Sequence, residues 1–182
     1  MYPYSASIYY WIGKRYEVYD ANQKEAEIYF KKSYEKNGSY KSKFKLAVLA
    51  RKQRRYKDAV DIYKDMIKEL KFKKNHQIMT PIEAEYMYKA YYQIAYISSQ
   101  HMRNRQGDVI WAGRNGVAIR DDEDKVIQKF FKLLYYKKHP AKYMKLNKSR
   151  MYVEGLYSML VGSYADLNER ELSQYYRDKL FG

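Results

Sequence analysis

The stretch YYWIGKRYEVYDANQKEAEIYF, residues 9–30, decides the fold. In it, Tyr9, Ile12, Gly13 and Tyr16 set an aromatic, an aliphatic, a small residue and a second aromatic at spacings of three, one and three. Thirteen positions after Gly13 comes Ala26, with Phe30 one helical turn beyond. Spacings of three and four gather each set on one face of a helix. Asn22 followed by Glu25 has the form of a capping box, which opens a second helix after the interruption at Asp20 and Ala21.

The pattern recurs along the chain. Ala47 stands 34 positions after Gly13, between Leu46 and Ala50, and is followed by Ala59 and Tyr63. Tyr91, Ile94, Ala95 and Ser98 form a third first-helix signature. A fourth is made by Tyr157, Leu160, Val161 and Tyr164, with Leu172 and Tyr176 after it. This arrangement resembles the tetratricopeptide pattern W-x2-L-G-x2-Y … A-x3-F with tyrosine in place of tryptophan, and 34 residues is that family's period. The second copy departs from it, with Lys43 at the place of the large aromatic and Ala50 at that of the second aromatic. The third lacks its second helix at the usual distance, so Ile127 and Phe131 are expected to supply it beyond an insertion at 103–121.

The resemblance implies an all-α fold, a right-handed α-solenoid of antiparallel helix pairs with about four repeats and about eight helices. It implies a single domain over residues 1–182, with repeats near 4–37, 40–71, 81–138 and 147–181. Helices are expected at 4–19, 22–37, 40–53, 56–71, 81–102, 122–138, 147–165 and 168–181. Thr80, Pro81 and Glu83 form a helix start, Asn168 with Glu171 a second capping box, and Gly38 a helix stop. Residues 72–80 read as a basic connector. Within 103–121, the apolar runs Val109–Ala112 and Val117–Ile119 flank Gly113-Arg114-Asn115-Gly116, so a small β-hairpin or an irregular loop is expected.

Composition agrees with thin helical layers. Hydrophobic residues make up 46% of the chain, yet mean hydropathy is −0.81 because 24 residues are tyrosine. Tyrosine buries a ring and keeps its hydroxyl near water. With no cysteine, disulfides, thiolate metal sites and thiol catalysis are excluded. Met1–Tyr4 carries no charged start with an apolar run, and no stretch reaches the ~18 apolar residues of a membrane span. A cytoplasmic protein with no membrane span is expected. The net charge of +15 favours acidic partners, whether protein or nucleic acid.

Nothing points to catalysis, a cofactor or a metal. His76, His101 and His139 are far apart, and Asp121–Asp124 reads as the acidic start of a helix. In the family resembled, first helices line a concave face that holds the ligand. The stripe beside the signature residues is Tyr10, Lys14 and Glu17 in the first copy. It is Phe44, Val48 and Arg51 in the second, and Tyr92, Tyr96 and Ser99 in the third. Aromatics beside Lys14 and Arg51 suit a peptide of acidic and apolar character. The Lys/Asn set with which some members clamp a terminal carboxylate is not found. The expected function is therefore a non-enzymatic protein- or peptide-binding scaffold. An alternative is a nucleic-acid-binding accessory protein using Arg54, Arg55 and Lys57, with Tyr56 available to stack. Another is a helical module of a larger enzyme or regulator.

Overall fold

The computed structural model describes residues 5–73, 81–131 and 150–181. Among these are eight helices and no strand. They are α1 (Ala6–Val18), α2 (Gln23–Asn37), α3 (Tyr40–Lys52), α4 (Tyr56–Lys73), α5 (Pro81–His101), α6 (Gln106–Phe131), α7 (Arg150–Asp166) and α8 (Arg170–Phe181). The chain divides into two compact units, Met1–Gln77 and Ile78–Gly182. In the first, α1 packs on α2, α2 on α3 and α3 on α4. In the second, α5 packs on α6, α7 rests on both, and α8 packs on α7.

Local chemistry sets the helix ends. The Ser5 side chain accepts from the Ile8 N–H at the start of α1, and Asn22 accepts from the Glu25 N–H at the start of α2. Each satisfies a backbone donor that a helix start leaves without an intrahelical acceptor. Gly38 closes α2 in the left-handed conformation, where the lack of a Cβ removes the steric penalty.

The four short hairpin turns share one device. Two residues before each second helix the backbone has positive φ: Ala21 at 49°, Arg54 at 61°, Asn104 at 54° and Asn168 at 60°. After Arg54, the Arg55 N–H returns to the Ala50 carbonyl at 2.9 Å; after Asn168, the Glu169 N–H returns to Tyr164 at 2.8 Å. This 6→1 bond satisfies a terminal carbonyl of the first helix while the chain reverses. Asn168 is thus the left-handed turn residue and not the expected cap of α8. The carbonyls of Asn22, Arg55, Arg105 and Glu169 then accept from Ala26, Ala59, Val109 and Ser173. All four of those residues are buried, so the turn delivers one side chain of each second helix to its partner.

Signature positions fill the interiors. Ala26, Phe30, Ala47, Ala50, Ala59 and Tyr63 are fully buried in the first unit, as are Tyr91, Ile94, Ala95 and Leu160 in the second. A Cβ on Gly13 would lie 2.9 Å from the Phe30 ring, closer than side-chain carbons pack. Lys43, at the place of an expected aromatic, is buried as well. Its Nζ donates to Glu69 Oε1 at 2.7 Å and to the Tyr34 hydroxyl at 3.3 Å, tying α2, α3 and α4 together. The Ser33 hydroxyl donates to the Ala6 carbonyl at 2.7 Å and meets the Ser42 hydroxyl at 2.7 Å, linking α1, α2 and α3.

The insertion is not there. Residues 103–104 form the hairpin turn, and from Gln106 the chain runs in one helix through 121, with no hairpin or loop. The second helix of the third pair therefore follows α5 directly, and between Gln106 and Ile119 its buried residues are Val109, Ala112, Gly113 and Gly116. Gly113 and Gly116 are contact points, where a Cβ would come within 2.8 Å of Leu160 and Leu156 of α7. The acidic run Asp121–Asp124 lies inside α6 and starts no helix. In the fourth pair Ser173 is buried, while Leu172, expected inside, is exposed. Residues 72 and 73 of the expected connector belong to α4. The rest of it (74–80), with the cap Thr80 and His76, and residues 132–149, with His139, lie outside the described residues.

Three substitutions probe stability. Alanine ordinarily gains about 0.5–1 kcal/mol over glycine within a helix. Gly13→Ala should instead lose roughly 1–3 kcal/mol by crowding the Phe30 ring, whereas Gly162→Ala, with nothing within 4 Å, should show the ordinary gain. Arg54→Gly should stabilise by up to ~1 kcal/mol, since a left-handed L residue costs roughly 1–2 kcal/mol and glycine's extra unfolded-state entropy offsets part of that. Urea unfolding of the three variants against wild type measures all three signs.

Candidate binding face

On α1, Tyr10, Lys14 and Glu17 are all half-buried, and so are Phe44, Val48 and Arg51 on α3. None lies in the sealed core and none is fully exposed, as for residues along a seam between neighbouring helices. Their surroundings differ. The Tyr10 ring packs on Phe30 at 5.7 Å and edge-on against Trp11 at 5.7 Å, so it belongs partly to the core. Phe44 meets the buried Tyr63 ring edge-on at 5.3 Å. Beside it, Val48 completes a small apolar surface on α3.

The charged members divide sharply. Lys45 donates to Glu17 Oε2 at 2.7 Å and Lys52 to its Oε1 at 3.2 Å, joining α1 to α3. Burial works to raise the Glu17 pKa, but the two ammonium groups outweigh it and hold the carboxyl below the ordinary carboxylate range. Glu17 is therefore an internal anchor and not an open acid. The side chains of Lys14 and Arg51 make no hydrogen bond or ion pair among the described residues. Nε of Arg51 is sealed from solvent without an acceptor, and so is the hydroxyl of Tyr63. Burial raises the Tyr63 pKa, opposed only by the nearby Arg51 charge, so the phenol stays protonated and a donor.

The basic run sits at the turn between α3 and α4. Arg55 donates to Glu27 at 3.0 Å, to Asp58 at 3.2 Å and to Gln53 at 2.6 Å. Desolvation works against the Glu27 charge, but Lys31 and Arg55 prevail and lower its pKa. Arg55 is thus engaged internally, while Arg54 and Lys57 are exposed and unpaired. Together with the turn after α1, this region forms an open cleft lined by Asp20, Asn22, Lys24, Glu27, Gln53 and Arg55.

In the second unit, Tyr92 and Tyr96 stack at 6.3 Å and 12°. A Cβ on Gly155 of α7 would lie 3.0 Å from the Tyr92 ring, and the Ser99 hydroxyl sits 3.5 Å from the Met159 sulfur. Tyr92 and Ser99 of this predicted stripe therefore lie against α7; Tyr92 and Tyr96 are half-buried and Ser99 is exposed. Sequence reasoning missed Tyr63, read only as a core ring, and the exposed apolar residues Ile8, Trp11 and Val18 of α1. The last three recur at spacings of three and seven and were legible as a helix face.

No described helix is long and apolar enough to cross a membrane. Among the described residues, no cluster of His, Asp or Glu is arranged to hold a metal ion. No family model matches the chain, and no curated protein matches it.

The Glu17 anchor sets a pH dependence. Folding lowers this carboxyl's pKa, so its stabilisation is complete above the ordinary carboxylate range and is lost as pH falls through the lowered value. Glu17→Gln should cost about 1 kcal/mol at neutral pH, the upper end for pairs in contact with water. The gap to wild type should close in acid below ~pH 4. Urea midpoints of both proteins at pH 7 and pH 3 measure it, and a gap unchanged in acid would assign the loss to packing.

Proposed function

We propose that the chain is a tetratricopeptide-like scaffold that binds a protein or peptide segment of acidic and apolar character, without catalysis. The fold reading is a right-handed solenoid of four such pairs. It is supported by the consecutive helix pairs and by the left-handed residue recurring at Ala21, Arg54, Asn104 and Asn168. The functional reading rests on one observation above the rest. On α3 the half-buried Phe44 and Val48 lie on one helical face with Arg51, whose guanidinium makes no ion pair. An apolar surface beside an uncompensated cation is complementary to an aliphatic or aromatic side chain next to an acid. Lys14 on α1 adds a second unpaired cation, and the net charge of +15 draws such a partner from a distance.

Nucleic-acid binding is the second reading, favoured by the exposed and unpaired Arg54 and Lys57. One titration series separates the two. A library of fluorescent peptides pairing acidic with leucine or phenylalanine residues, and a single-stranded oligonucleotide, are titrated into wild type, Phe44→Ala and the double variant Arg54→Glu/Lys57→Glu. Phe44→Ala is expected to weaken the best peptide by on the order of 10-fold or more while the double variant leaves it nearly unchanged. Tight oligonucleotide binding that falls steeply with salt and is lost only in the double variant selects the nucleic-acid reading instead.

A further inference from the structure

On α1, Ile8, Trp11, Arg15 and Val18 form one stripe that faces water. Ile8, Trp11 and Val18 are 45%, 64% and 57% exposed, and the Arg15 side chain is 76% exposed. Their spacings of three, four and three are those of the seam between two paired helices. The Tyr10 ring meets the Trp11 indole edge-on at 5.7 Å and braces it, while most of the indole stays open.

The next helix pair uses the same positions differently. One period of 34 residues on, Trp11 and Val18 correspond to Lys45 and Lys52, which reach back from α3 to Glu17 of α1. Ile8 and Arg15 correspond to Ser42 and Leu49, both fully buried. Ser42 meets Ser33 of α2, and Leu49 packs with Ala26 and Phe30. Another helix pair of the same kind set against α1 would find apolar side chains where these charged ties are made. It would also have to bury an arginine where a leucine is sealed in, at the cost of desolvating the charge. The stripe therefore suits a different occupant.

The pattern of the stripe names that occupant. Ile8 and Val18 stand five positions either side of Gly13, and Trp11 and Arg15 stand two positions either side. Let two copies of α1 run antiparallel about a two-fold axis level with Gly13. Ile8 of one copy then meets Val18 of the other, Trp11 meets Arg15, and each pairing occurs twice. Tryptophan is the ring that best holds a cation, and the planar guanidinium of arginine stacks on it. Arg15 is open to this contact, because its ion pair with Asp20 is long, at 3.9 Å, and lies in water, where such pairs contribute little. Parallel pairing would instead set Arg15 against Arg15 and leave both indoles without a cation.

We infer that α1 is a self-association surface, through which two copies of this chain pair antiparallel in a two-fold dimer with Trp11 and Arg15 at its centre. The net charge of +15 on each copy opposes the encounter. A contact of three helical turns is also smaller than the ~800 Å² per partner of a stable interface. The dimer is therefore a dynamic one, with a dissociation constant expected at about 10–100 μM in ~0.15 M salt, which screens the repulsion.

Sedimentation equilibrium of the full chain in that salt, up to ~500 μM, measures the association. Wild type should show a monomer–dimer equilibrium. Trp11→Ala and Arg15→Gln should each weaken it by on the order of tenfold or more, since every substitution acts twice in a two-fold interface. Arg15→Gln also lowers the repulsion between copies, so weakening by it marks a specific contact. Both residues are exposed, and thermal melting by circular dichroism should be unchanged in each variant. Tyr175→Ala, which removes an exposed ring from α8, should leave the association as it is. The chain has no cysteine, so Ile8→Cys and Val18→Cys each carry one thiol. Antiparallel pairing brings position 8 against position 18, whereas like positions lie ~15 Å apart along the helix axis. With a mild oxidant, a mixture of the two variants should form disulfide-linked dimers several-fold faster than either variant alone. Equal or faster linking of one variant alone would mean a parallel or unrelated contact and would overturn the inference. So would a wild type that stays monomeric throughout, a dimer that survives Trp11→Ala, or an equal loss in Tyr175→Ala.

Discussion

The Phe30 ring lies so close to Gly13 that even a methyl group between them would sit 2.9 Å from ring carbons. Around that contact Ala26, Leu49 and Leu46 close, with Tyr10 and Tyr16 along its border. The same size rule operates in the second unit, where Leu160 and Leu156 fill the spaces left by Gly113 and Gly116. Small residues bring helix axes together, and large ones occupy the hollows so created, which is how close-packed interiors avoid voids. The turns serve this contact. A left-handed residue and a returned N–H reverse the chain within a few residues, so the second helix reaches its partner in the required register.

Polar groups are used inside these layers as cross-ties. Lys43 is the clearest case, because an aromatic is expected there and a buried lysine is costly when unpaired. Its ammonium lies 4.9 Å from the Tyr34 ring centre and donates to Glu69 and to the Tyr34 hydroxyl. The Glu69 carboxylate and Tyr34 raise the Lys43 pKa against the opposing effect of burial, so the lysine remains charged. Tyrosine extends the principle across the chain. Tyr16 stacks on Tyr29 at 5.5 Å, and Tyr164 on Tyr176 at 5.6 Å, each pair bringing aromatic area to a helix contact. This explains how a chain of low mean hydropathy sustains packed helices.

Acidic residues at the helix contacts are largely spent on lysine and arginine, through Glu17, Glu27 and Glu69. The excess of positive charge is left to the more open groups, among them the exposed Arg54 and Lys57. Arg51 differs from these because its environment is only partly aqueous and an unpaired charge there has less water to stabilise it.

What the sequence by itself determined is the local and periodic part. Tyr9, Gly13, Ala26 and Phe30 set the helical face, Asn22 and Gly38 act through their nearest backbone neighbours, and Pro81 opens α5. These effects operate over a few residues, so seven of the eight helices are legible in order from their signals. Between Arg103 and Asp121, glycines and the Asn-Gly pair carry a turn signal, yet the chain is helical from Gln106. The signal loses because Leu160 and Leu156, forty or more positions away in sequence, occupy the space beside Gly113 and Gly116. Glycine's weak helix propensity costs about 1 kcal/mol per residue, and packing two helices at close range offsets that. Tertiary structure alone also decided that Glu17 is neutralised by Lys45 and Lys52 while Arg51 is not. Charge pairing depends on which side chains meet across helices, and a one-dimensional pattern of residue types does not contain those distances.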